Sequence, residues 1–144
     1  MKTLTPELVL KADQYVDQQH EHQARLGERL FQTFGYDSKS QRMSTQVRNL
    51  QQVVCSAMRL ADVEDFVKNQ MGKGTGSARD WQAVGEGVLE QLQLLRREAD
   101  RMDDSPETRL LLRLKLARSW VRAVVSEYLY RVARDQMEKR HGGQ

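Results

Sequence analysis

Residues 77–102 read SARDWQAVGEGVLEQLQLLRREADRM, and their apolar side chains recur every three or four positions. This spacing places one continuous apolar stripe on an α-helix and leaves the opposite face polar. Ser77 and Asp80 match the spacing of a capping box, which predicts that the helix begins here. The stripe consists of Trp81, Val84, Val88, Leu92, Leu95, Ala99 and Met102. A long amphipathic helix is therefore predicted, with neighbours that cover its apolar face.

Two glycines, Gly85 and Gly87, lie inside this predicted helix. Each costs roughly 1 kcal/mol of helix stability relative to alanine. A helix tolerates that cost where a neighbouring segment approaches closely, so we expect such a contact at this position.

The same period continues on both sides of this helix. A helical region is predicted to begin at Thr5-Pro6, to lose its apolar pattern through 17–25 and to end at Gly35, before a polar connector over 35–43. The next region begins at Ser44 or Thr45 and ends at Gly72, either as one bent helix or as two short helices with Asp62 starting the second. The last helix follows a Ser105 cap and runs from Pro106 to about Lys139.

No segment shows the two-residue period of a strand. The predicted fold class is all-α, a compact bundle of about five helices with a long C-terminal helix. At 144 residues the chain has the size of one helical domain, 1–144, and its end, EKRHGGQ, is expected to fray.

Composition limits the cellular setting. The formal net charge is +3 and the pI is near 9.2, a mildly basic balance compatible with nucleic acid. The first residues contain no apolar run long enough to predict a signal peptide, and no stretch approaches the roughly 20 apolar residues of a membrane span, so a cytoplasmic location without membrane contact is expected. Cys55, the single cysteine, excludes an internal disulfide and is expected to be a small buried apolar residue.

Three sequence patterns could suggest nucleotide binding, metal binding or nucleophilic catalysis, but none has the residue spacing or the partner residue that the function requires. GKGTGS at 72–77 lacks the order of a P-loop because Lys73 is followed by Gly74 and a helix precedes it, although a glycine-rich loop with Lys73 and Arg79 nearby can still touch a phosphate. His20 and His22 are two positions apart and point to nearly opposite sides of a helix, which does not suit a metal ion. No nucleophile has a partner base. We therefore expect no enzyme activity, no metal and no cofactor.

Basic residues concentrate in the last helix. Residues 105–140 contain nine basic and four acidic side chains. Lys115, Arg118 and Arg122 follow the spacing i, i+3, i+7 and form a stripe that could follow a phosphate backbone or face solvent. On the second helical region Arg48, Gln52 and Arg59 are predicted to share a face, with Arg42 just upstream.

Residues 44–54, STQVRNLQQVV, resemble a motif in the small helical subunit of type III-A CRISPR interference complexes. In that family a Ser/Thr-x-Gln-hydrophobic-Arg pattern opens a central helix, and residues 44–48 match it. Leu50 and Val54 match its apolar positions. Residues 70–73, QMGK, resemble the basic exit from that helix. The Arg-rich last helix, Gly85 and Gly87 depart from the family pattern.

The resemblance implies a non-catalytic structural subunit. Members of the family stack in several copies beside the duplex of guide RNA and target RNA, contact its sugar-phosphate backbone without reading sequence, and assemble with the other effector subunits. Contacts are then expected from the second helical region and its flanks, with a competing surface on the last helix. The candidates are Arg42, Gln46, Arg48, Asn49, Gln52, Arg59, Lys68 and Lys73, and for the competing surface Lys115, Arg118 and Arg122.

Two alternatives remain open from the sequence. The chain could be a helical adaptor or dimerisation module without a nucleic-acid role, its arginines facing solvent. It could also be a small DNA-binding regulator, although a helix-turn-helix needs two short helices at a tight turn. The broad apolar face of the last helix predicts self-association, including exchange of that helix between copies.

Overall fold

The computed structural model describes residues 3–37, 39–40, 42–74 and 76–142. Within these ranges the chain forms six helices and one short two-stranded ladder, which confirms the all-α prediction. The elements are α1 (Pro6–Gln18), α2 (His20–Phe34), β1 (Tyr36–Asp37), β2 (Arg42–Met43), α3 (Thr45–Ser56), α4 (Leu60–Gly72), α5 (Ala78–Met102) and α6 (Pro106–Gly142).

The first helical region is divided at Gln19 into α1 and α2. α1 begins as predicted, because the Thr5 hydroxyl accepts a hydrogen bond from the Leu8 N–H at 3.3 Å and Pro6 occupies the first turn. Gln23 is buried beyond the break and donates from its amide to the Val16 carbonyl at 3.0 Å. The division falls within the stretch where the apolar period is lost.

The connector after α2 contains a small ladder that the sequence did not predict. Gly35 ends α2 with φ +60°, as expected of a glycine stop. Tyr36 then pairs with Met43, and Asp37 pairs with Arg42, in antiparallel register. The prediction of no strand is wrong for these four residues. Ser38 and Gln41 of the predicted polar connector lie outside the described residues.

The second helical region is two short helices. Ser44 caps α3, since its hydroxyl accepts from the Gln46 N–H at 3.1 Å. The backbone is extended at Ala57 and Arg59, which ends α3 and redirects the chain into α4. Asp62 lies in the first turn of α4, two residues after its start, so the expected start at Asp62 is wrong.

α5 has the predicted extent, but its capping box does not form. Ser77 has a helical backbone conformation and makes no side-chain cap hydrogen bond. Gly85 allows the predicted close approach, since a Cβ there would collide with the Met71 side chain of α4. At Gly87 a Cβ would meet only the Arg29 guanidinium, at 3.4 Å.

α6 is the central helix and contacts each of the other five helices. It begins at Pro106 as predicted, with the Ser105 hydroxyl accepting from the Thr108 N–H at 3.5 Å. Its broad apolar face is covered within the same chain, so the breadth of that face does not itself require a second copy. The helix continues to Gly142, so residues 138–142 are helical where a frayed end was expected; residues 143–144 lie outside the described part.

Three side chains join the ladder to the outer part of α6. The Tyr36 hydroxyl donates to the Asp135 carboxylate at 2.9 Å, and the Lys139 ammonium lies 3.0 Å from the same oxygen. The hydrogen bonds from Lys139 and then Tyr36 lower the pKa of Asp135. The hydrogen bond to Asp135 raises the pKa of Lys139.

This cluster predicts a specific pH dependence of stability. Because the folded-state pKa of Asp135 lies below the unfolded value of about 3.9, its contribution is present above that value and is lost as pH falls through the folded pKa. Because the pKa of Lys139 is raised, its contribution is present below the unfolded value of about 10.4 and is lost as pH rises through the folded pKa.

We therefore expect Asp135→Asn to lower the melting temperature by a constant amount from about pH 5 to about pH 9, and by less at both extremes. Thermal unfolding followed by circular dichroism from pH 2 to pH 11 measures this difference. Glu138→Gln removes an exposed partner of Arg134 on the same helix and should change the melting temperature little. A difference for Asp135→Asn that persists undiminished at pH 2 would contradict the assignment.

Candidate nucleic-acid interface

The motif at 44–54 divides between the core and the surface. Val47, Leu50 and Val54 are fully buried and dock α3 on the rest of the bundle. Arg48 and Asn49 are half-buried, and Gln51 likewise, whereas Gln52 is exposed. The apolar positions of the motif therefore position α3, and its polar positions lie at or near the surface.

Gln46 is engaged inside the fold. Its side-chain carbonyl accepts a hydrogen bond from the indole N–H of Trp81 at 2.8 Å, and Trp81 is fully buried in α5. A buried indole N–H normally requires such an acceptor. The amide oxygen of Gln46 therefore has a partner within the protein.

Three segment ends meet at one end of the bundle. The bond between Gln46 and Trp81 joins the start of α3 to the start of α5. The Gln82 amide donates to the Met71 carbonyl at 2.9 Å and joins α5 to the end of α4. We call the cationic side chains carried by these segments the basic end surface: Arg42, Arg48, Lys73 and Arg79.

The cations of the basic end surface are not neutralised by ion pairs among the described residues. Within the described residues no ion pair joins any of its four members to a carboxylate, in contrast with Arg59, Arg96 and Arg113, which each bond to an acid. Arg42, Lys73 and Arg79 are exposed and Arg48 is half-buried. Lys68, one turn before the end of α4, is also exposed without an ion pair.

Asp37 is the carboxylate that lies beside Arg42. Its pKa is lowered first by the hydroxyl of Ser40, then by the backbone N–H groups of Lys39 and Ser40, with a smaller contribution from the Arg42 charge. Asp37 therefore remains charged at neutral pH, and it offsets part of the charge at one edge of the surface.

Arg59 does not share a face with Arg48 and Gln52, so that prediction is wrong. The twelve residues of α3 span roughly 18 Å, and Arg59 follows the turn at its far end. Its guanidinium forms an ion pair with Asp62 at 3.0 Å. Arg79, the second residue of α5, is a further exposed cation at this end of the bundle, and the predicted set of RNA contacts does not include it.

Lys115, Arg118 and Arg122 come together as their spacing predicts. They line a groove of about 440 Å³ between α1 and α6. Lys115 forms an ion pair with Asp13 at 3.0 Å, and Arg118 donates to the Ala57 carbonyl at 3.4 Å. The groove is otherwise mostly apolar, with Thr3, Leu4, Val9, Leu111 and Leu114 completing its lining.

α3 and α4 are the two short helices at a tight turn that a helix-turn-helix requires, contrary to expectation. In that motif the second helix brings its N-terminal residues to the DNA bases. The first two turns of α4 carry Asp62, Glu64 and Asp65. Asp62 and Glu64 are paired with Arg59 and Arg96, and Asp65 is exposed without an ion pair among the described residues. The start of α4 therefore offers no free cation to DNA, which does not favour its insertion into a major groove.

The remaining candidates for chemistry are surface side chains. Cys55 is exposed, so the prediction that it is buried is wrong. Val47, Leu50 and Val54 occupy the buried face of α3, and Cys55, the residue after Val54, lies outside that face. Within the described part of the chain no three possible metal ligands are grouped, and His20 and His22 are exposed. None of the described helices is long and apolar enough to cross a membrane.

Comparisons of the chain with protein-family models, with curated proteins and with solved structures found no match.

Proposed function

We propose that this chain is a non-catalytic RNA-contacting subunit whose basic end surface binds the sugar-phosphate backbone. The observation that carries the proposal is that the segments joined by the Gln46–Trp81 and Gln82–Met71 hydrogen bonds carry Arg48, Lys73 and Arg79, with Arg42 just before α3, and that none of the four forms an ion pair among the described residues. Cations without acidic partners release condensed counterions from RNA without first breaking an ion pair. About four such contacts give weak, strongly salt-dependent binding by one copy, and avidity from several copies raises it.

The chemistry of this surface suits any RNA sequence. Guanidinium groups bind phosphate oxygens in a bidentate manner, and the nearby amides of Asn49 and Gln52 can donate to phosphate or ribose. Base stacking needs accessible aromatic rings. Trp81, at the start of α5, is fully buried. Tyr36, beside Arg42 in the ladder, is half-buried, and its ring packs against Phe31 and under the Lys139 ammonium. Backbone contact without reading of bases follows from this combination.

The narrower proposal is a structural subunit of a type III CRISPR ribonucleoprotein effector in the cytoplasm. There it would contact guide and target RNA and assemble with the other subunits. It is supported by the resemblance of residues 44–54, in which Ser44 acts as the helix cap and Val47, Leu50 and Val54 are core residues. The all-α architecture with a long final helix is compatible with it.

One observation favours a second candidate, a protein adaptor. Leu129, Tyr130 and Met137 are 44%, 52% and 54% exposed on α6. Large exposed apolar side chains close together often mark protein interfaces. In this reading the chain binds only protein and its cationic side chains face solvent.

Removal of two charges tests the RNA proposal. We expect Arg48→Ala with Lys73→Ala to reduce the slope of log affinity against log salt by about 1.4 on single-stranded RNA, since each lost contact is worth about 0.7. Affinity should fall equally for polyuridine and for a mixed-sequence RNA of the same length. Fluorescence anisotropy at four or more salt concentrations measures both quantities.

Arg25→Ala with Arg101→Ala is the matched control, because it removes two charges whose side chains are 72% and 78% exposed on other helices. An equal loss of RNA affinity in the test and control variants would show that binding depends only on the net charge of the protein. No binding by the wild type at low salt would favour the adaptor.

A further inference from the structure

The groove between α1 and α6 has features that backbone contact with RNA does not explain. Leu4, Val9, Leu111 and Leu114 give it an apolar lining, which phosphate and ribose do not need. Within the described residues, the buried Nε of Arg118 has no hydrogen-bond partner. This nitrogen is closed to solvent, and Arg118 lines the groove with the rest of its side chain.

Arg122 adds a free charge at the rim of the same groove. It is exposed, and it forms no ion pair within the described part of the chain. The groove thus offers apolar contact together with positive charge. A complementary occupant carries an apolar side chain flanked by carboxylates.

The outer face of α1 has this composition. Leu10 is 59% exposed, although it is a large apolar side chain. Glu7 lies three residues before Leu10, and Asp17 lies seven residues after it, so all three side chains are on one side of the helix. Both acids are exposed. Neither acid forms an ion pair among the described residues. This acidic face lies on the same helix whose Val9 lines the groove.

We propose that a second copy of this chain docks the Glu7–Leu10–Asp17 face of its α1 in the groove. Because the groove and the docking face both belong to every copy, a two-fold axis lets each copy occupy the groove of the other. Leu10 contacts the apolar lining, and the carboxylates of α1 meet the exposed guanidinium of Arg122. Self-association thus uses this groove rather than exchange of α6.

The dimer should respond to both parts of the contact. In sedimentation equilibrium, Leu10→Ser and Arg122→Glu should each raise the dimer dissociation constant at least about tenfold, since two-fold symmetry counts every lost contact twice. Met137→Ser, at the separate exposed apolar face of α6, is the matched control and should leave the constant unchanged. All three positions are exposed, so melting temperatures should stay close to the wild type.

Exchanging the charges of the groove and of the α1 face tests the contact without specifying which carboxylate pairs with Arg122. The Arg122→Glu variant has an acid in its groove and keeps the acids on the outer face of its α1. The variant with Glu7→Lys and Asp17→Lys keeps the cation in its groove and has cations on the outer face of its α1. Neither variant should dimerise alone, but an equimolar mixture should form a heterodimer, because each groove then meets an α1 of opposite charge.

A mixture that stays monomeric would overturn the proposal, as would a wild-type chain that is monomeric at several hundred micromolar. Loss of the dimer in Met137→Ser alone would place the contact on α6 instead. Weaker binding of Arg122→Glu to polyuridine, with unchanged self-association, would assign the groove to RNA. The wild-type dimer itself should weaken as salt rises.

Discussion

Adding one methyl group at position 27 should destabilise the protein, whereas the same addition at position 87 should stabilise it. Gly27 is buried on α2 against α6, and these two helices form the largest helix–helix contact in the fold. A Cβ at Gly27 would stand 2.6 Å from the Val124 carbonyl oxygen and 2.7 Å from the Glu127 Cβ. Both atoms are fixed by the backbone of α6, so relief requires movement of one whole helix against the other.

The net change in stability at each position is the gain in helix propensity minus the cost of any steric clash with the added Cβ. Replacing glycine by alanine inside a helix gains up to about 1 kcal/mol, while overpacking a helix contact costs about 1–3 kcal/mol. Because the Gly27 clash involves backbone, we expect Gly27→Ala to lose about 2 kcal/mol net and to lower the melting temperature by about 5–10 °C. Gly87→Ala meets only the Arg29 guanidinium, at 3.4 Å, and should gain up to about 1 kcal/mol.

Urea denaturation followed by circular dichroism measures both free energies of unfolding. Equal stabilisation by both substitutions would mean that α2 and α6 do not approach as closely as described. Equal destabilisation would mean that Gly87 also supports a close contact, as the sequence suggested for it.

The helices were predictable where the deciding chemistry is local. Ser44, Thr5 and Ser105 each act on an N–H within the next three residues, and Gly35 ends α2 through its own backbone conformation. The apolar period of α5 is a property of one segment. These features need no knowledge of the partner, and all were confirmed.

Features that depend on a distant partner were missed or misplaced. Gly27 lies in a weakly periodic part of the sequence, and its importance comes from Val124 and Glu127 nearly a hundred residues later. Part of the apolar lining of the groove around Lys115 comes from Leu4 and Val9, at the N-terminal end of the chain, which the spacing along α6 cannot reveal. The prediction that Arg59 shares a face with Arg48 holds only if one helix continues through both residues, and the turn between α3 and α4 interrupts that helix.

The role of Gln46 shows the same limit within the candidate site. It stands four residues before the buried Leu50, which places both side chains on one side of α3. That position indicates contact with the core, but its partner Trp81 lies 35 residues away and could not be identified from the pattern. The RNA contact expected of Gln46 follows from the family resemblance, which carries no information about its contact with Trp81.

Truncation of Trp81 should have the largest effect on stability of the changes considered. Trp81 is fully buried, and its ring packs at 5.2 Å from Phe34 and 5.8 Å from Phe66 between centroids. Replacing a buried tryptophan by alanine costs about 3–5 kcal/mol. Gln46→Ala keeps these rings but leaves the indole N–H unpaired, which should cost about 1–3 kcal/mol.

A double-mutant cycle separates the hydrogen bond from the packing. Trp81→Phe removes the N–H and keeps an aromatic ring, so Gln46→Ala should cost less than about 0.5 kcal/mol in that background. Urea denaturation of the four proteins gives the coupling energy, and RNA anisotropy on the same samples gives the affinity. If Gln46→Ala leaves the free energy of unfolding unchanged but weakens RNA binding, then Gln46 contacts RNA and the Trp81 bond contributes little. If it lowers stability and leaves RNA affinity intact, the motif supports the interface by placing α3 against α5, while Arg48 beside it supplies the charge.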